Sequence, residues 1–251
     1  MITKLLSCKS DVESIIEYIK DIKLENPSEY NSDEHEYNKE LSELEDNKIT
    51  IIYQILNIFW DKITNIPPNI LTNFKEEVEE RLYQFGTSLY ENRPIMGGLI
   101  EHSLLKMFKN NDFYTIPKPQ SKRIDCEIDG IEWSIKWSST GNIKLHNSNN
   151  CSNKDIKMVN TILITTNGIY FIVPDIMHMF NIQLIDSENN KNSLLKNVGD
   201  GLSLQRNIIQ QLKKNKYPFI IDIKINYHRN NCSHISIIKY ILDMEEKLKM
   251  I

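Results

Sequence analysis

Along the first hundred residues apolar positions recur at helical spacing; beyond them the period shortens to two. Over 10–25 a capping box of Ser10 and Glu13 opens a stripe of Val12, Ile15, Ile16, Ile19 and Ile22, which predicts a helix. Residues 26–47 are acidic and polar and read as a loop or linker with at most one short helix. Apolar helices follow over 48–64, ended by Pro67-Pro68, and over 73–90, opened by Asn73 with Glu76 three residues on. A further helix is predicted over 93–110. There Leu104, Leu105 and Phe108 follow Glu101 by three, four and seven residues and place that carboxylate on the inward stripe.

From 123 to 139 (RIDCEIDGIEWSIKWSS) two alternating runs flank Asp129-Gly130, the signature of a tight hairpin. Counting outward from the turn opposes Ile128 to Ile131, Glu127 to Glu132, Cys126 to Trp133, Asp125 to Ser134 and Arg123 to Lys136. One face carries Ile124, Cys126, Ile128, Ile131, Trp133 and Ile135 and is a core face. The other carries Arg123, Asp125, Glu127, Glu132, Ser134 and Lys136.

A second hairpin is predicted around Thr166-Asn167-Gly168. Its arms, TILITT and IYFIV, are near-continuous apolar runs of the kind found in strands covered on both faces. A short helix or turn over 175–180 puts His178 among methionines, a core position. A helix is expected over 200–215, a last strand over 217–227 and a closing helix from about 236.

Composition sets the class. With 40% hydrophobic and 25% charged residues, the chain is a globular protein with enough length for one large domain or a compact pair. No apolar run approaches a membrane span, no signal-peptide layout is present, and Cys8, Cys126, Cys151 and Cys232 form no CxxC pair. A cytoplasmic protein with reduced thiols is the expectation. His228, Cys232 and His234 lie close together but lack a fourth ligand in a standard zinc spacing. Walker, GxGxxG, GxSxG and HExxH motifs are all missing.

The net charge of −4 is unevenly spread. Residues 1–100 hold 10 Lys and Arg against 19 Asp and Glu, while 101–251 hold 20 against 15. A basic second part permits a phosphate-binding surface. Its candidates are Lys118, Lys122 and Arg123 before the hairpin, Lys144, His146 and Asn147 in the donor-rich segment after it, and Gln205 and Arg206 on the helix over 200–215.

The charged face of the first hairpin has two readings. It fits an ordinary solvated face. It also sets Glu127 directly against Glu132, a like-charge pair that needs neutralising, and continues through Lys136 into Trp137, so that the lysine needs a partner. A divalent cation held by the acids, with the lysine beside it, satisfies both needs.

A helix carrying a Glu, then a hairpin with an Asp on one strand and a Lys on the next, resembles the PD-(D/E)XK nuclease superfamily, and within it a type II restriction endonuclease. The resemblance covers about 93–173. It matches Glu101 to the acid of the first core helix, Asp125 to the motif aspartate and Lys136 to the motif lysine. Ile124 stands where the motif has proline and Ser134 where it has its second acid, so Glu132, Glu127 or the more distant Asp155 has to take that acid's place. The resemblance implies an α/β (α+β) fold with a restriction-endonuclease-like mixed central sheet flanked by helices. A helical region over 1–92 would pack on a nuclease core over 93–251. Also implied are a catalytic set of Asp125, Lys136, Glu132 and Glu101, and Mg²⁺ held by Asp125, Glu101, Glu132 and Glu127. The substrate would be double-stranded DNA, cut by a homodimer to 5′-phosphate and 3′-hydroxyl ends, with a cognate methyltransferase as genetic partner. Another nuclease of the same fold, for repair, homing or transposon ends, and a non-catalytic DNA-binding relative are the alternatives.

Overall fold

A computed structural model describes residues 34–85, 92–118, 124–139, 159–185, 193–198, 201–204 and 208–227. The helices predicted over 10–25 and from 236 onward lie outside the described residues. The chain divides into two compact units, one of Met1–Asn65 with Asp175–Met179, the other of Ile66–Pro174 with Phe180–Ile251.

The first unit contains helix α1 (Glu34–Thr64). Ile52, Ile55, Leu56, Phe59 and Ile63 are its buried stripe. The helix starts 14 residues before the apolar run that predicts it, because a Glu-rich stretch with two leucines has high helix propensity even without a continuous stripe. A 3₁₀ turn over Pro174–Phe180 buries Ile176 and Met177. His178 is exposed there, not in the core. In a 3₁₀ turn, residues three apart share a side, so His178 falls off the side of Ile176 and Met177.

The second unit is an α/β assembly with a mixed sheet. Its elements are α2 (Pro68–Phe85), α3 (Asn92–Lys109), β1 (Thr115–Pro117), β2 (Cys126–Ile128), β3 (Ile131–Trp137), β4 (Thr161–Thr165) and β5 (Gly168–Ile172), then β6 (Gln183–Ile185), β7 (Ser193–Val198), β8 (Gly201–Leu204), α4 (Ile208–Lys214) and β9 (Ile220–Ile221). The large sheet has the order β1-β2-β3-β4-β5-β9; β3 and β4 run parallel and the other neighbours antiparallel. Every residue of β4 and β5 is buried, as their unbroken apolar runs require. Among the described residues no helix is long and apolar enough to cross a membrane.

Pro68 both follows the end of α1 and opens α2, since its missing N–H costs nothing in a first turn. Phe74, Val78 and Leu82 of α2 and Met96, Ile100, Leu104 and Phe108 of α3 are buried, and the two helices pack on each other. Between them Glu77 accepts hydrogen bonds from Arg81 Nη2 (2.8 Å), Ser103 Oγ (3.0 Å) and Lys106 Nζ (3.1 Å). Burial alone pushes this carboxyl up, but the three donors outweigh it and hold the pKa at about 2.

Besides α1, and α2, which opens at Pro68 and not at Asn73, three elements depart from the sequence pattern. β1 is a short edge strand in what reads as a connection. A helix over 200–215 is replaced by β8 and the seven-residue α4, because 201–204 pair with β7 (Leu195 to Leu204, Asn197 to Leu202). With β6, these strands form a separate three-stranded sheet. The strand over 217–227 is regular at Ile220–Ile221, paired with Tyr170 and Ile169 of β5, while the Phe219 carbonyl accepts from Phe171 N–H and Ile225 N–H donates to the Thr166 carbonyl (both 3.0 Å).

Candidate active site

The first hairpin has the register its turn dictates: Ile128 opposite Ile131, Glu127 opposite Glu132, Cys126 opposite Trp133. Asp129 (φ 48°) and Gly130 (φ 83°) both adopt positive φ, as a two-residue hairpin turn of the primed type demands.

Beyond Cys126 the ladder changes. Asp125 N–H donates to the Trp133 carbonyl at 2.9 Å although Cys126 is Trp133's partner. Two residues set against one is the mark of a β-bulge, a device that re-aims a side chain. The Asp125 carbonyl accepts from Lys118 N–H at 2.9 Å, so the backbone of this residue is pinned from both sides.

The amides of β3 alternate sides. Ser134 N–H bonds the Asn160 carbonyl next to β4 (2.8 Å). Ile135 N–H is met instead by Asp125 Oδ2 at 2.5 Å. The aspartate side chain thus stands where a strand carbonyl would otherwise be. The same oxygen accepts from Ser134 Oγ (3.0 Å) and Lys136 Nζ (3.2 Å). Lys136 and Asp125 keep about a third of their side-chain surface in solvent (32% and 28%), so the pair is reachable from outside.

Helix α3 brings in the third group. Phe108 packs edge-on against Phe113 (centroids 4.9 Å) and Phe171 (6.3 Å), and Phe171 packs against Trp133 (5.6 Å). These rings hold α3 against β3. Glu101, two turns before Phe108 on the same stripe, is half-buried. Burial raises its pKa first, the negative charge of Asp125 raises it further, and Lys136 pulls it back. Glu101, Asp125 and Lys136 therefore share one electrostatic neighbourhood. Cys126 registers the same field: burial pushes its thiol up to about 12, with Glu101 and Asp125 adding to the shift. Its burial favours the protonated thiol.

Glu127 and Glu132 belong elsewhere. Lys118 Nζ lies 2.9 Å from Glu127 Oε2 and 2.5 Å from Glu132 Oε1. The charge that neutralises this facing pair is a lysine at the end of β1. Lys118, read from sequence as a phosphate contact, is tied between two carboxylates that hold its pKa up. Lys122, Arg123, Lys144, His146, Asn147, Gln205 and Arg206 lie outside the described residues, as do Asp155, His228, Cys232 and His234. Two functional features escape the sequence: the donor role of Ser134 and the Lys118 bridge, which follows from β1 pairing with β2.

Among the described residues no group of three or more His, Cys, Asp or Glu could hold a metal ion. One carboxylate, Asp125, is paired with the Lys136 ammonium, and a second, Glu101, lies within the electrostatic reach of both. That donor set suits Mg²⁺, which binds through one or two carboxylates and keeps several waters. No family model matches the sequence, and no curated protein or solved structure shows significant similarity to it.

Proposed function

We propose that this protein is a Mg²⁺-dependent endonuclease of the PD-(D/E)XK type that hydrolyses double-stranded DNA, acting as a type II restriction enzyme on a restriction-endonuclease-like fold. The observation that carries this reading is the Asp125–Lys136 pair at the bulged start of β2, with Glu101 of α3 in its field. Glu101 and Asp125 would hold the cation. When bound, Mg²⁺ lowers the pKa of a coordinated water and stabilises charge on phosphoryl oxygens. Lys136 sets its ammonium beside the reacting phosphate, where it orients the attacking water and offsets the charge that develops. Ile135 N–H and Ser134 Oγ keep the aspartate from rotating, so the constellation is organised before substrate arrives. A homodimer matches the two-fold symmetry of a palindromic site.

Digestion of linear phage DNA tests the substrate class. Discrete fragments with Mg²⁺, absent with chelator, are the expected result; intact DNA at high enzyme concentration contradicts it.

A second reading is favoured by Ser134, which stands where another acid would complete a richer metal site. On that reading the protein is a DNA-binding relative without catalysis. Retarded migration of DNA in a gel with no cleavage in Mg²⁺ or Mn²⁺ would select it.

A further inference from the structure

We infer that Ser134 is a positioning residue that locks the Asp125 carboxylate so that it offers a single oxygen, and that the site in consequence takes one divalent cation per chain. This rests on the nuclease reading of the same site. Three donors converge on Oδ2: Ile135 N–H at 2.5 Å, Ser134 Oγ at 3.0 Å and Lys136 Nζ at 3.2 Å. A carboxylate offers about four lone-pair directions over its two oxygens, so three donors use up what one oxygen has. Two of the three are fixed. The amide belongs to a paired strand, and the serine is only 4% exposed. Oδ1 takes part in none of these bonds and is the acceptor left for a cation.

Charge points to the same count. Two-metal sites set their ions about 3.5–4 Å apart and need several carboxylates to offset four positive charges. Among the described residues Glu101 and Asp125 supply two negative charges, and Lys136 adds a positive one. Glu127 and Glu132, the other strand acids of the hairpin, are bonded to Lys118. A carboxylate at 134 would press a like charge against Oδ2, whereas the hydroxyl donates to it.

The test is calorimetric titration of the intact protein with Ca²⁺, which reports binding without turnover. One equivalent per chain is expected, lost in Asp125→Ala. Ser134→Ala should bind about tenfold more weakly, the usual scale for removing a partner of a metal ligand. Ser134→Thr, which keeps the hydroxyl, should bind as the parent does. Circular dichroism and the urea midpoint identify any variant that does not fold, and the stoichiometry of the parent stands apart from all of them. Two equivalents per chain, unchanged affinity in Ser134→Ala, or a folded Ser134→Thr as weak as the alanine variant would overturn the inference and leave the nuclease reading intact. No Ca²⁺ binding by the parent removes both.

Discussion

Lys136 Nζ sits 3.2 Å from Asp125 Oδ2, yet the two residues do not depend on each other equally. The lysine is a partly exposed ion-pair partner, and such pairs contribute about 0–1 kcal/mol. The aspartate also satisfies the Ile135 amide and the buried Ser134 hydroxyl. Stranding a buried donor costs about 1–3 kcal/mol. Urea unfolding should therefore show Lys136→Ala within about 1 kcal/mol of the parent and Asp125→Ala clearly below it. Equal losses would mean that Asp125 does not hold the strands as described.

Glu77 makes a prediction about acid. Its carboxyl titrates at about 2 in the folded chain against 4.5 as the ordinary value. As pH falls the unfolded chain takes up the proton first. The stabilisation from Glu77 is complete above about pH 4.5, drains away as pH falls from there toward 2, and is gone below. Glu77→Ala should lose about 2 kcal/mol at neutral pH, moderated by the solvent exposure of Lys106, and its deficit against the parent should close through that window. Chemical denaturation at a series of pH values measures both.

Lys118 should matter more as salt falls. With Lys118→Ala, Glu127 and Glu132 face each other without the cation between them. The urea midpoint should drop at low ionic strength, and the gap to the parent should narrow near 1 M salt, where the screening length is about 3 Å. Adding Glu132→Gln to Lys118→Ala should restore most of the loss.

Gly168 lies where β9 comes closest. A Cβ there would meet the Ile221 carbonyl at 2.9 Å and Tyr170 Oη at 3.2 Å, at φ +154°. Gly168→Ala should cost about 1–3 kcal/mol in thermal unfolding, because backbone, not a flexible side-chain tip, has to yield. A neutral result would show that β9 moves away freely.

The legible parts of this fold are those that local chemistry over-determines. Asp129-Gly130 can close a hairpin in few ways, and that fixes the Glu127–Glu132 and Cys126–Trp133 registers from sequence. The spacing of Leu104 and Phe108 behind Glu101 likewise gives the helix a face. What was not legible depends on partners distant in the chain. Three residues ending in proline do not announce β1 until β2 is beside them. Without β1, Lys118 has no reason to meet Glu127 and Glu132, and their opposition looks like a call for metal. Strict alternation also hides the bulge at Asp125, since it counts each residue once. In 200–215, pairing with β7 outweighs local helix propensity.

Relaxation of supercoiled plasmid in Mg²⁺ by the parent, Asp125→Ala and Lys136→Ala decides whether this pair of side chains cuts DNA. Cutting by the parent is expected, with a loss of at least about 100-fold in each variant, the scale of removing a charge-stabilising or proton-transferring group. Cutting undiminished in either variant would contradict that role.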